Sequence, residues 1–99
     1  MEILKTGCLA YLDMSESGMI PCRVIAITAP EKPPLFDLKL GGIPLSIKTR
    51  VVVTKATRAY KKGEIIECPA AYTVPHKSVF RWGRRDMIAG YTVEVDGRY

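Results

Sequence analysis

Residues 35–53 read LFDLKLGGIPLSIKTRVVV, and this stretch decides the fold. Gly41-Gly42 separates two runs in which apolar and polar residues alternate. Adjacent glycines accept positive φ at both positions, as a two-residue hairpin turn demands. Closing the hairpin there sets the register: Leu40 opposite Ile43, Leu38 opposite Leu45, Phe36 opposite Ile47. All six are apolar and share one face, which is expected to line an interior. Asp37, Lys39, Pro44 and Ser46 share the other face. Pro44 has no amide hydrogen, and in this register the missing donor points away from the partner strand, so a sheet edge is expected there. Thr49, Val51 and Val53 continue the inward face, while Lys48 and Arg50 continue the outward one.

Towards the N-terminus, residues 29–34 (APEKPP) hold too many prolines for a ladder and read as a loop. Residues 19–28 form a β-branched run with apolar residues on both faces, Cys22, Val24 and Ala26 on one and Ile25 and Ile27 on the other. That pattern suits a bent strand serving two sides of a barrel better than a flat one-sided sheet. Residues 6–13 form an earlier strand, joined to it by the polar turn Met14-Ser15-Glu16-Ser17-Gly18. Towards the C-terminus, residues 56–63 (ATRAYKKG) are a basic connection, residues 64–68 a short strand, and residues 69–73 a loop. Pro75-His76-Lys77-Ser78 suits one helical turn with proline at its first position. Residues 79–82 and 87–96 are the last two strands, joined through residues 83–86. No stretch sustains a helical period, and eight glycines and seven prolines would break most helices. The expectation is one all-β domain over residues 1–99: a small, strongly bent, partly open antiparallel barrel of five to seven strands, with at most one short helical turn.

Residues 7–27, GCLAYLDMSESGMIPCRVIAI, resemble the opening hairpin of Tudor- and KOW-type small barrels. Gly7, Cys8, Ala10, Gly18, Met19, Ile20, Cys22, Arg23 and Val24 fill the places of that pattern. Residues 60–79, YKKGEIIECPAAYTVPHKSV, resemble the close of a Src-homology-like barrel, and the chain as a whole resembles small bacteriophage-encoded proteins. The resemblance implies the barrel and leaves function to the site residues. It also departs from the Tudor pattern at one place that matters. Met19 and Ile20 stand where cage aromatics would come from this hairpin, and Tyr11 alone builds no cage, so recognition of methylated lysine or arginine is not expected.

The net charge of +5 is unevenly spread. Residues 1–47 hold four basic and five acidic side chains, residues 48–85 ten basic and two acidic, and residues 86–99 one basic and three acidic. A segment as basic as 48–85 implies either an anionic partner or a solvated face that keeps the chain soluble. Within it, Arg81-Trp82-Gly83-Arg84-Arg85 sets a tryptophan among three arginines, and Arg58, Tyr60, Lys61 and Lys62 form a second basic-aromatic group. Aromatic faces stack on bases and basic groups meet phosphates. With Lys48 and Arg50 these are the candidate nucleic-acid or anion-binding residues.

No catalytic constellation is found. Glu64 and Glu67 fall on opposite faces of a strand, and Ser15, Ser17, Ser46 and Ser78 lack an oriented histidine, so no enzyme is expected. Cys8, Cys22 and Cys68 have no short ligand spacing, and with His76 they would make only an improbable zinc set. No metal or cofactor is expected, and the three cysteines read as reduced thiols of a cytoplasmic chain, in a host cell if phage-encoded. No apolar run approaches the ~20 residues of a membrane helix, and MEILKTG is no signal peptide. The first function expected is therefore a non-enzymatic module that binds nucleic acid through its basic patch. The alternative is a phage-encoded inhibitor or interaction protein that caps an acidic host-protein surface or sequesters an anionic nucleotide. The edge at Pro44 also gives a homodimer a place to form.

Overall fold

The computed structural model describes residues 2–14 and 18–98, with the side chains of Met14, Arg81, Trp82, Asp86 and Arg98 excepted. The turn at Ser15-Glu16-Ser17 lies outside the described residues. The chain is all-β, with twelve strands and two single 3-10 turns and no α-helix among the described residues. In chain order the strands are β1 (Glu2–Leu4), β2 (Leu9–Met14), β3 (Gly18–Ala29), β4 (Lys39–Leu40), β5 (Ile43–Pro44) and β6 (Lys48–Val53). They continue with β7 (Ile65–Pro69), β8 (Thr73–Pro75), β9 (Val79–Trp82), β10 (Arg85–Ile88), β11 (Tyr91–Val93) and β12 (Gly97–Arg98). The 3-10 turns are Ala70–Tyr72 and His76–Ser78. Among the described residues no helix is long and apolar enough to cross a membrane.

The principal sheet runs β7-β6-β3-β2-β8, and β12 joins it beside β3. Strand β3 organises it. Its first half pairs antiparallel with β2, from Met14↔Gly18 to Leu9↔Arg23, and its second half pairs with β6, from Cys22↔Val53 to Thr28↔Lys48. The β3–β6 register shifts between Val24 and Ala26. An extra residue there bends the strand and exchanges its faces. Ile20, Cys22 and Val24 are buried before the shift, and Ile27 and Ala29 after it. Ile25 stays outward as alternation from Val24 requires, but Ala26 is not buried and Ile27 is, so Ile25 and Ile27 do not share the face expected of them. β3 thus pairs with β2 and with β6 and carries a bulge, the irregularity that lets a strand turn, but it does so in a sheet that is not a closed barrel.

The sheet does not close, since β7 and β8 end it with no ladder between them. The pairing is also not purely antiparallel. β1 runs parallel to β11, and β12 runs parallel to the end of β3. Asp96 ties this C-terminal segment down. Its carboxylate accepts hydrogen bonds from Thr6 Oγ1 and from the Ile27 amide at 3.0 Å, and its own amide donates to the Ile27 carbonyl at 2.9 Å.

The Gly41-Gly42 hairpin forms in the expected register, with Leu40↔Ile43 paired and φ of +61° and +84° at the two glycines. The Leu45 amide donates to the Leu38 carbonyl at 2.8 Å, and Asp37 caps the Ser46 amide at 3.2 Å. Lys39↔Pro44 is the last pair of the ladder, and Pro44 sits on an edge as its missing donor requires. The burial differs from expectation. A turn at Leu45-Ser46 separates β5 from β6, so the ladder never reaches Phe36 and Ile47. The hairpin pairs only with itself and stands off the main sheet. Ile43 reaches the core and Ile47 packs against it, but Leu35, Phe36 and Leu38 are 93%, 88% and 74% exposed. Of the six expected interior residues only Ile43 is buried; Leu45 and Ile47 are half-buried, and Phe36, Leu38 and Leu40 are exposed, because the core covers the hairpin's second run and not its first.

The core gathers inside β3, β2 and β6, with Leu4, Leu12, Ile20, Ile27, Val51 and Val53 at 0 or 1% exposure. Thr49 and Thr73 are also fully buried. Thr49 Oγ1 lies 2.7 Å from Thr73 Oγ1, Cys68 Sγ lies 3.1 Å from Thr73 Oγ1, and Thr49 Oγ1 lies 3.1 Å from the Cys68 carbonyl. The carbonyls of Cys68 and Pro69 accept from Thr49 Oγ1 and Thr73 Oγ1 at 3.1 and 3.2 Å, and the two hydroxyls and the thiol also lie within hydrogen-bond reach of one another, so two buried hydroxyls carry little desolvation penalty.

Candidate nucleic-acid interface

The basic connection between β6 and β7 is an ordered loop. The Val53 amide donates to the Glu64 carbonyl at 2.9 Å and the Gly63 amide to the Val53 carbonyl at 2.8 Å, which closes its base. Thr57 Oγ1 accepts from the amides of Ala59 and Tyr60 at 3.3 and 3.2 Å, a side chain standing in for a turn carbonyl. Tyr60 is half-buried and packs against the core, which anchors the loop from beneath. Around it, Arg58, Lys61 and Lys62 are exposed and line a concavity of ≈ 670 Å³. Glu64, the acidic residue of this concavity, accepts from the Lys61 amide at 3.0 Å. Its carboxylate serves the backbone, and among the described residues no ion pair neutralises Arg58, Lys61 or Lys62.

The other expected residues fall into two further groups. Lys48 and Arg50 lie on β6, opposite in direction to the buried Thr49, Val51 and Val53. Arg50 meets its cross-strand partner Glu67 at 3.5 Å, with both side chains about 60% exposed. Such a surface pair contributes at most about 1 kcal/mol, but it lowers the charge that Arg50 offers. Arg84 and Arg85 sit exposed at the tip of the β9–β10 hairpin, whose two-residue turn is Gly83-Arg84 with Gly83 at φ +65°. The register sets Asp86 opposite Arg81, so an acidic residue is closer to this group than the sequence count suggests. The side chains of Arg81 and Trp82 lie outside the described residues. No ladder joins this hairpin to β6 or to the basic loop.

One feature escapes sequence reading. Tyr11 and His76 stack with ring centroids 5.2 Å apart and planes at 24°. They stand 65 positions apart, and the β2–β8 ladder brings them together: Tyr11↔Val74 and Ala10↔Pro75 are paired, and His76 follows at once. His76 is exposed, and Tyr11 lies beside Pro21 across the β2–β3 ladder. A concavity of ≈ 190 Å³ contains Tyr11, His76, Pro21 and Thr54. A second, of ≈ 340 Å³, takes His76 together with Glu2, Lys5 and Lys77. Two near-parallel rings give a flat platform, not the box of a methyl-ammonium cage. The outward position of Tyr11 was legible in the alternation of β2. The partner ring was not, because residues 73–75 do not read as a strand.

Cys22 is buried and Cys8 and Cys68 are half-buried, all as free thiols. Burial pushes the Cys22 thiol up to about 12, with Cys68 and Cys8 adding to the shift. Burial likewise pushes the Tyr91 hydroxyl up to about 12, while it donates to the carbonyls of Ala70 and Ala71 at 3.0 and 3.1 Å. Both groups are therefore neutral at physiological pH and serve structure. Ser78 is fully buried and its hydroxyl has no partner among the described residues. Comparison with family models, with curated proteins and with solved structures finds no match to this chain.

Proposed function

We propose that the chain is a non-enzymatic nucleic-acid-binding module built on a partly open small barrel. The barrel reading is supported by the strand order β7-β6-β3-β2-β8, by the bulged β3 shared between both ends, and by a 3-10 turn leading into β8. The observation that carries the function is the loop 54–64. It carries four cations, Lys55, Arg58, Lys61 and Lys62, against one carboxylate, Glu64, and hydrogen bonds to Thr57 and Glu64 hold its turns. Unneutralised cations around a concavity attract a polyanion, and phosphates supply most of the affinity of such contacts.

A second reading, the capping of an acidic protein surface, is favoured by the exposed Leu35, Phe36 and Leu38 arm. Apolar side chains of that kind add affinity to a protein contact and little to a phosphate contact. Fluorescence anisotropy separates the two readings. Random-sequence DNA and RNA oligonucleotides are compared with polyglutamate of matched charge at ~50 mM salt, a range where phosphate contacts are strong. The proposal predicts saturable nucleic-acid binding that Lys61→Glu with Lys62→Glu reduces strongly. Polyglutamate binding with no nucleic-acid binding would transfer the function to the second reading.

A further inference from the structure

We propose that the Tyr11–His76 stack is a base-stacking platform, and that the nucleic acid bound is single-stranded. The inference rests on the nucleic-acid reading above and names the strand form it requires. The exposed ring of His76 lies on Tyr11, so a base placed on its outer face would extend an existing stack. Thr54 and Pro21 border the same concavity, and Thr54 stands at the start of the basic loop. Thr57, three residues on, lines the basic concavity, so the Cα atoms of these two lining residues are at most about 11 Å apart. Lys5 and Lys77 line a second concavity that His76 borders, together with the acidic Glu2. A strand that stacks one base on His76 therefore has cations near it for a neighbouring phosphate.

The strand form follows from what the platform offers. In a duplex the base faces are already stacked on one another, and a protein reaches only base edges in the grooves. A flat ring pair offers a face, which only an unpaired base can use. Every base has such a face, so little sequence preference is expected.

The test compares a single-stranded oligonucleotide with the duplex of the same length for the wild type, His76→Ala, His76→Phe and Lys61→Glu/Lys62→Glu. The expected result is tighter binding of the single strand, a loss of on the order of tenfold in His76→Ala for the single strand alone, and recovery in His76→Phe. Because His76 is exposed, the melting temperature of His76→Ala should stay near that of the wild type, which separates a stacking loss from a folding defect. Equal binding of both forms, or unchanged single-strand affinity in His76→Ala while Lys61→Glu/Lys62→Glu weakens both, overturns the platform and leaves the nucleic-acid reading standing. Absence of binding to either form in the wild type at low salt overturns both.

Discussion

At Gly42 the backbone sits at φ +84°, and at Gly41 at +61°, with open space where a Cβ would stand at each. Conformation and not crowding decides what these positions tolerate. Asparagine visits the left-handed region far more readily than β-branched residues do. Gly41→Asn should therefore be nearly neutral in urea unfolding, whereas Gly42→Val should destabilise by about 1 kcal/mol or more. Tyr91 makes a different prediction. Its hydroxyl is raised to about 12 from an ordinary 10, and the Cys22 thiol to about 12 from 9. A raised pKa means that the unfolded chain gives up its proton first as pH rises. The stability linked to these groups is complete below pH 9 and is lost as pH climbs through about 12. Thermal melts from pH 8 to 12 should show that loss, and Tyr91→Phe should lose less of it between pH 10 and 12. At neutral pH, Tyr91→Phe gives up its two carbonyl contacts at a cost of about 1 kcal/mol.

At the scale of elements, legibility followed local chemistry. The Gly41-Gly42 hairpin register was readable because the turn itself dictates it. The burial of Thr49, Val51 and Val53 was readable because β6 alternates strictly. Strand β8 was not readable. Thr73-Val74-Pro75 is three residues long and ends in proline, and its extended form is stabilised by pairing with β2 more than by any propensity of its own. Strand β1 and its parallel pairing with β11 were missed for the same reason, since two three-residue segments at opposite ends of the chain share no local signal. The exposed arm shows the converse. Six apolar residues on one face imply a cover, but alternation says nothing about whether a second layer arrives. The basic groups were legible as residues and not as an assembly, because three separate elements carry them. The β9–β10 hairpin is the group to test on its own. Arg84 and Arg85 are exposed at its tip, so reversing both to glutamate should change folding stability by no more than about 0.5 kcal/mol. If the hairpin meets phosphates, each lost contact lowers the salt slope by roughly 0.7 to 0.9. Unfolding of the double variant in a chemical melt would instead make these arginines structural.

For the whole molecule, an open sheet organised by β3 carries a cationic loop between β6 and β7, a Tyr11–His76 ring stack on β2 and the turn after β8, and an exposed apolar arm before β4. Hydrogen bonds of Thr57 and Glu64 and the packing of Tyr60 hold the loop's turns, and a loop already held before binding has less ordering entropy to lose. The central claim is that the loop cations meet phosphates. Its most direct measurement is the slope of log K against log salt for one single-stranded oligonucleotide, taken for the wild type and for Lys61→Glu/Lys62→Glu. Counterion release predicts a steep negative slope in the wild type that becomes shallower by about 1.4 in the double variant, from two lost contacts at ~0.7 each. A slope unchanged by the double substitution, or wild-type binding that does not respond to salt, would contradict the account.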